Sequence, residues 1–280
     1  MIKQRVLTAA IALPLLLIVL MKAPKGLLIG FLTVCVAIGT WEIAHMLLPV
    51  LWKKFSKGRT AKKFDRVLIG IPVCLAVLIF LGSSVSVDAG RGMILFGMLG
   101  SILIGCFWAP SNEIAFARTA GYLISIVYGA FPWLAIWELY LMGPESRYIV
   151  LLLFIVFGGD TGAYFAGKKF GKHKLAPRMS PNKTWEGSIG GIAASLAGGI
   201  AVQLFFDSSL TTWSGILVVS IVGGAFGQMG DLIESTFKRF ASVKDSGIIF
   251  PGHGGFLDRV DGILFAAPVV WFILYNFRVS

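Results

Sequence analysis

The sequence predicts an all-α integral membrane protein, a polytopic bundle of about nine transmembrane helices. The first observation is composition: 56% of the residues are hydrophobic, only 14% are charged, and the mean hydropathy is +0.82. A soluble domain carries about 25% charged residues. The second observation is that apolar runs approaching the length of a membrane-spanning helix, about 20 residues, recur along the whole chain. These two observations exclude the soluble globular class.

The apolar runs place the spans in order along the chain. They cover residues 6–21, 26–50, 67–82, 92–108, 121–142, 148–166, 188–206, 213–230 and 262–277. Lys3 and Arg5 precede the first run, as they would in a secretory signal. The segment that follows this run, from Met21 to Lys25, has no small-x-small cleavage site, so the first run is predicted to be a retained helix.

The positive charges predict the orientation of these spans. With the N-terminus on the cytoplasmic side, twenty of the 25 Lys and Arg residues fall in alternate segments on that side. Short cytoplasmic loops are enriched in Lys and Arg, so this bias supports both the spans and the orientation. The net charge of +11 is then explained by anionic membrane lipids and cytoplasmic solutes, and no nucleic-acid partner is needed.

The acidic residues predict two functional halves. Seven of the eight acids between Asp160 and Asp261 fall at cytoplasmic helix ends or loops. We therefore expect residues 1–142 to form an N-terminal transmembrane scaffold and residues 143–280 to form a C-terminal catalytic half, with a polar site at the cytoplasmic face. Glu42, Glu138 and Asp160 receive no role, although an acid within a membrane span is costly.

The first polar segment of the C-terminal half, residues 158–187, ends in S-P-N-K-T-W-E-G. Ser180 followed by Pro181 is typical of a helix start, because a capping hydroxyl precedes a ring that suits the first turn. Lys183 and Thr184 at such a helix N-terminus form a natural anion site. The basic residues of 168–178 are equally compatible with an ordinary positive-inside loop.

The second polar segment, residues 230–239, is predicted to be an amphipathic helix end. Asp231, Glu234, Ser235 and Lys238 fall at i, i+3, i+4 and i+7, which places them on one face. That polar face is expected to point toward a shared cavity. A solvated amphipathic end is the alternative.

The third polar segment, residues 253–261, places Asp258 and Asp261 three positions apart, so a helix aims both carboxylates the same way. Two like charges held together in a poorly solvated place need a cation to neutralise them. Oxygen ligands favour a hard cation, Mg²⁺ or Mn²⁺. Ordinary salt bridges with Arg259 are the alternative. The preceding Gly254 and Gly255 allow backbone N–H groups to approach a phosphate closely.

These segments also carry a resemblance to a known family. The spacing S-x-F-K-R-x4-K-D-x-G-x2-F-P-x-H-G-G-F-x-D-R-V-D from Ser235 to Asp261, together with S-P-N-K-T-W-E-G, resembles the phosphatidate cytidylyltransferases, also called CDP-diacylglycerol synthases. The N-terminal half matches that family only in hydrophobic character. The resemblance implies that CTP and phosphatidate react to give CDP-diacylglycerol and pyrophosphate. It also implies a magnesium requirement with room for a second cation, a homodimer, and a bacterial cytoplasmic membrane location.

The motifs and the resemblance together give the candidate site residues. The predicted catalytic residues are Asp231, Lys238, Arg239, Asp258 and Asp261. The predicted phosphate-binding residues are Lys183, Thr184, Ser235, Lys244, His253, Gly254, Gly255 and Arg259. The predicted metal ligands are Asp231, Asp258 and Asp261.

Two other functions are weighed against this one. A transporter of an anionic solute tends to place charges near the bilayer midplane and to show repeats, whereas here the charges cluster at one face and no repeat is evident. Another membrane phospholipid transferase, such as a CDP-alcohol phosphotransferase, is expected to carry a D-G-x2-A-R-x8-G-x3-D-x3-D pattern, which this sequence lacks.

Overall fold

The architecture is a helical bundle with one small β-hairpin. The structure is a computed structural model and describes residues 24–56, 65–107, 109–206, 210–249 and 254–277. In this part of the chain the helices are α1 (Lys25–Phe55), α2 (Val67–Val85), α3 (Val87–Cys106), α4 (Asn112–Gly129), α5 (Phe131–Leu141), α6 (Arg147–Phe170), α7 (Trp185–Phe205), α8 (Trp213–Phe240) and α9 (Leu257–Asn276). The strands are β1 (Lys174–Ala176) and β2 (Ser180–Thr184), which pair antiparallel between α6 and α7.

Seven helical segments of the described chain are long and apolar enough to cross a membrane. Helices α4 and α5 count as one of them, from Asn112 to Leu141. Each segment overlaps one of the seven predicted spans from 26–50 to 213–230, with ends that differ by up to ten residues. The predicted span 6–21 lies outside the described residues. The predicted span 262–277 falls on α9, which ends at Asn276 and is not among the seven segments. Exposed large apolar side chains, such as Phe96 and Phe116, cover the outside of the bundle, as expected where lipid replaces water.

Local sequence signals explain where several helices begin. The hydroxyls of Ser86, Ser111 and Thr212 each accept a hydrogen bond from the backbone N–H three residues later and cap α3, α4 and α8. Pro132 lies in the first turn of α5. It lacks the N–H that a continuous helix needs, so α4 and α5 are separate helices.

The prediction that a helix starts at Ser180 is wrong. Ser180 and Pro181 lie in β2, and α7 begins at Trp185 with Thr184 as its cap, whose hydroxyl accepts from Gly187 N at 3.1 Å. Strand pairing with β1 extends the backbone as far as Thr184, so the capping hydroxyl comes four residues later than the local S-P pattern indicates.

The last four helices form the frame of the polar site. Helix α6 packs along α7, α8 packs along α9, and α7 also contacts α8. Helices α6 and α8 end in basic residues at the same end of the bundle where α7 and α9 begin. The division into residues 1–142 and 143–280 stays a prediction.

Candidate active site

A cavity of about 700 Å³ lies among α6, the β-hairpin, α7, α8 and α9. Its polar lining comes from all of these elements. The polar residues are Asp160, Tyr164, Lys168, Ser180, Asn182, Lys183, Thr184, Ser188, Gln228, Asp231, Glu234, Lys238, Asp258 and Asp261. Asp160 and Asp231 lie about ten residues before the ends of their helices, so the cavity reaches about 15 Å below those ends.

The close approach of α8 to α9 brings two of the predicted acids together. A Cβ atom on Gly230 would overlap the backbone carbonyl oxygen of Asp261, so only glycine permits this packing. Asp231 follows directly, and its carboxylate lies in a cluster with those of Glu234 and Asp261. One oxygen from each of the three carboxylates lies within 4.8 Å of the others.

Glu234 is the most buried member of this acidic cluster, with none of its surface exposed. Its Oε2 accepts a hydrogen bond from Lys238 Nζ at 2.7 Å, one helical turn later. Its Oε1 is buried and has no hydrogen-bond partner among the described residues. A buried carboxylate oxygen without a donor is costly, and a cation shared with Asp231 and Asp261 would satisfy it.

Asp258 lies beside the cluster, and both of its oxygens already have protein donors. Oδ1 accepts from Lys238 Nζ at 2.6 Å, which joins α9 to α8. Oδ2 accepts from the N–H of Ser246 at 2.9 Å, the hydroxyl of Ser246 at 3.1 Å and the N–H of Gly255 at 2.8 Å. These contacts fix the Asp258 carboxylate, and through it they fix Lys238.

Lys183 reaches the cluster from the opposite side of the cavity. Its Nζ lies 2.6 Å from Asp231 Oδ2 and donates to the carbonyl oxygen of Gln228 at 3.3 Å. The Gln228 side chain is held by Ser188, whose hydroxyl donates to Oε1 at 2.6 Å and whose carbonyl accepts from Nε2 at 3.1 Å. The β-hairpin and α7 are therefore both tied to α8 at the edge of the acidic cluster.

The formal charge of the lining is negative. Five carboxylates, from Asp160, Asp231, Glu234, Asp258 and Asp261, face three ammonium groups, from Lys168, Lys183 and Lys238. An anionic ligand alone would be repelled by the excess carboxylates. A bound divalent cation would offset that excess negative charge and would leave the lysines available to a phosphate.

The structure brings some of the predicted site residues together and leaves others apart. Lys183, Thr184, Asp231, Lys238, Asp258 and Asp261 line the cavity. Ser235 lies behind Asp231, and its hydroxyl donates to Asp231 Oδ1 at 3.4 Å. Arg239, Lys244 and Arg259 are exposed and do not line the cavity, and neither do Gly254 and Gly255. His253 lies outside the described residues.

The two glycines before α9 have structural roles in this structure. Gly255 donates its N–H to Asp258, and Gly254 has a φ of 82°, a conformation that L side chains rarely adopt. A Cβ on Gly254 would also lie 2.7 Å from Asp258 Oδ2. Phosphate binding by these glycines stays a prediction, as does metal binding by Asp258.

Sequence reasoning assigned no role to several residues of the site. Glu234 shares the helix face of Asp231, so its spacing was a usable signal. Asp160 lines the cavity from a G-G-D-T-G string on α6, which the sequence alone does not connect to α8. Asn182 lies in the S-P-N-K-T-W-E-G string but was given no role of its own, and Gln228 lies in none of the predicted motifs. Their place in the cavity depends on which elements meet there.

The apolar helices and the cavity lined by carboxylates and lysines define an integral membrane protein with a charged site among its helices. Sequence comparisons identify its family. The model of the cytidylyltransferase family matches residues 3–277. The chain is 36% identical over 277 residues to the phosphatidate cytidylyltransferase of Staphylococcus epidermidis, covering 97% of this chain and 98% of that protein.

A second relative gives the same result. The phosphatidate cytidylyltransferase of Staphylococcus aureus is 36% identical over 272 residues, with 97% of this chain and 98% of that protein covered. These matches include the N-terminal half, where the motifs had shown only hydrophobic character. The chain therefore belongs to the cytidylyltransferase family, and it is a membrane nucleotidyltransferase of phospholipid biosynthesis.

Proposed function

We propose that this chain transfers the cytidylyl group of CTP to phosphatidate and releases pyrophosphate, forming CDP-diacylglycerol. The observation that carries the proposal is the joining of a three-carboxylate cluster and three lysines in one cavity of a membrane bundle. The relatives' name specifies a phosphatidate substrate. A lipid substrate also explains why a nucleotide enzyme is embedded in a membrane.

Asp231, Glu234 and Asp261 are the proposed ligands of a divalent cation, Mg²⁺ or Mn²⁺. The donor set fits, because it consists only of carboxylate oxygens and includes the unpartnered Oε1 of Glu234. When bound, such an ion supplies positive charge to the triphosphate and to the departing pyrophosphate. Asp160, on the facing wall, is available to a second cation.

The reaction needs positioning and counter-charge more than it needs a base. An oxygen of the phosphatidate phosphate attacks the α-phosphorus of CTP, and the bond from that phosphorus to the oxygen bridging to the β-phosphate breaks. The second pKa of a phosphate monoester is about 6, so the nucleophile arrives largely ionised. Repulsion between the two polyanions is then the main obstacle to reaction.

Residues of the chain reduce the repulsion between the two substrates. Lys238 is held at the cluster by Glu234 and Asp258, so its ammonium is pre-oriented for a phosphate oxygen. Lys183 contacts Asp231 and lies where it can turn to a phosphate on the hairpin side. Ser235 orients Asp231 from behind. Each lysine lowers the cost of bringing the attacking and leaving phosphates together.

We also propose how the chain crosses the membrane and that it forms a homodimer. Nine spans with a cytoplasmic N-terminus would open the cavity toward cytoplasmic CTP in a bacterial cytoplasmic membrane, which the charge bias of the loops supports. A homodimer and the absence of a nucleic-acid partner are also proposed. Crosslinking in the native membrane, followed by denaturing electrophoresis, would measure the dimer directly.

A turnover assay separates this function from its rivals. Purified protein in detergent, given CTP labelled in cytosine, phosphatidate and Mg²⁺, should move label into a lipid-soluble product and release an equal amount of pyrophosphate. Asp261→Asn should abolish both the lipid-soluble label and the release of pyrophosphate. Asp88→Asn, which changes an exposed acid on α3, should leave both unchanged. A transporter would instead take CTP into vesicles unchanged. A CDP-alcohol phosphotransferase would need CDP-diacylglycerol as its substrate.

A further inference from the structure

Glu42 is a buried acid in the middle of α1, in the N-terminal half of the chain. None of its surface is exposed. Its Oε1 accepts from the N–H of Phe256 at 2.9 Å, and its Oε2 accepts from the N–H of Leu257 at 2.8 Å and from the hydroxyl of Ser246 at 2.9 Å. The chain separates Glu42 from these donors by more than 200 residues.

These contacts make Glu42 the cap of α9. The first N–H groups of a helix have no partner within the helix, and Phe256 at the start of α9 provides no side-chain cap. The Glu42 carboxylate supplies the missing acceptors from another helix, where its negative charge also meets the positive end of the helix dipole. An acid inside a membrane bundle is costly, and here its cost is offset by three donors.

The same carboxylate is connected to Asp258. The hydroxyl of Ser246 lies 2.9 Å from Glu42 Oε2 and 3.1 Å from Asp258 Oδ2, so it bridges the two acids. A Cβ on Gly247 or on Gly255 would overlap Glu42 Oε1. Both backbone segments therefore pass directly against the Glu42 carboxylate. Glu42 therefore fixes the segments whose N–H groups hold Asp258, and Asp258 in turn holds Lys238.

We propose that Glu42 is a positioning residue for the transfer reaction. It acts from the N-terminal half by fixing Ser246 and the start of α9, and thereby the Asp258–Lys238 pair at the phosphate site. The inference rests on the proposed function through the role of that pair. It also gives the N-terminal half a direct part in building the site.

Two variants test the inference. Glu42→Gln keeps the shape but replaces one acceptor oxygen with a donor that faces other donors. Ser246→Ala removes the bridge to Asp258 and leaves both helix-cap hydrogen bonds in place. The matched controls are Glu138→Gln, a half-buried acid on α5, and Ser125→Ala, which loses one buried hydroxyl bond to Gly121 within α4.

The measurement is kcat per folded molecule at saturating CTP, phosphatidate and Mg²⁺, together with KM for CTP. We expect Glu42→Gln to lower kcat by about tenfold to a hundredfold, the loss that small displacements of reacting groups cause. Ser246→Ala should lower it several-fold, and KM should stay nearly unchanged in both. The double variant should lose little more than Glu42→Gln alone, because both changes act through Asp258.

The outcomes separate this inference from the proposed function. If Glu42→Gln and Ser246→Ala turn over within about twofold of their controls while Asp258→Asn is inactive, the positioning role is wrong and the proposed site stands. If Asp258→Asn keeps full turnover, the role of the Asp258–Lys238 pair is wrong. If Glu42→Gln does not fold, Ser246→Ala decides alone, and unchanged kcat there contradicts the inference. Losses that simply add in the double variant would contradict it too.

Discussion

Lys183 on β2 and Asp231 on α8 form an ion pair inside the cavity, with 2.6 Å between Nζ and Oδ2. The pair joins the hairpin to the acidic cluster across the cavity. Its two members are the proposed phosphate ligand and metal ligand, and in this structure each satisfies the other. Binding of a metal ion and a nucleotide would replace one internal contact with two contacts to the ligands.

The first prediction concerns Glu234, which the sequence left without a role. Glu234→Gln should lower kcat by at least about a hundredfold, because it removes charge that the cluster would use to hold a cation at the reacting phosphates. Turnover at increasing Mg²⁺ measures the effect, with Asp88→Asn as the exposed control. Wild-type kcat at saturating Mg²⁺ would remove Glu234 from the metal site.

The second prediction concerns the basic residues. Lys238→Ala should lower kcat strongly, because its ammonium is fixed between Glu234 and Asp258 at the cavity. The paired change Lys53→Ala and Lys54→Ala should leave kcat nearly unchanged, since these exposed residues at the end of α1 do not line the cavity. Steady-state kinetics over a range of salt concentrations measure both. Equal losses of kcat would mean that the basic end of α1 takes part in turnover.

The third prediction tests the contact between α8 and α9. Gly230→Ala should destabilise the protein by about 1 to 3 kcal/mol, because the added methyl group overlaps the carbonyl of Asp261 and the helices must separate. The thermal midpoint in detergent should fall and kcat should fall with it. Gly70→Ala on α2 is the control, since nothing lies within 4 Å of its Cβ position. An unchanged midpoint for Gly230→Ala would contradict the close packing.

The fourth prediction concerns orientation. In a variant without Cys35, Cys74 and Cys106, the changes Lys172→Cys and Lys244→Cys should resist an impermeant thiol reagent applied to intact cells. Asp88→Cys, at the other end of the bundle, should react. All three positions are exposed, so access is decided by the membrane and not by burial. Labelling of Lys172→Cys and Lys244→Cys from outside the cell would contradict the cytoplasmic cavity.

The features that sequence predicted well are those with local physical causes. The described spans follow from the length of apolar runs, and the polar face of α8 follows from the spacing of Asp231, Glu234, Ser235 and Lys238. The helix start at Ser180 was wrong because strand pairing between β1 and β2, which depends on residues on both sides of a turn, overrides the local signal.

Long-range contacts could not be predicted from the sequence. Gly230 decides how closely α8 approaches α9, but nothing in its neighbours indicates which residue it will meet. Glu42 gave one usable signal, the cost of an acid inside a span, and its partners could not be identified because they lie in another half of the chain. The three-carboxylate cluster depends on both the helix spacing and the α8–α9 contact, and the sequence predicted a metal-binding role for only two of its members, Asp231 and Asp261.

The acidic cluster as a cation site is the central claim, and Mn²⁺ binding to the purified protein tests it most directly. Titration followed by the electron paramagnetic resonance of free Mn²⁺ should show a bound ion that Mg²⁺ displaces. Binding should be lost in Asp261→Asn and retained in Asp88→Asn. If wild-type protein and Asp261→Asn remove the same amount of Mn²⁺ from solution, the cluster of Asp231, Glu234 and Asp261 is not the cation site.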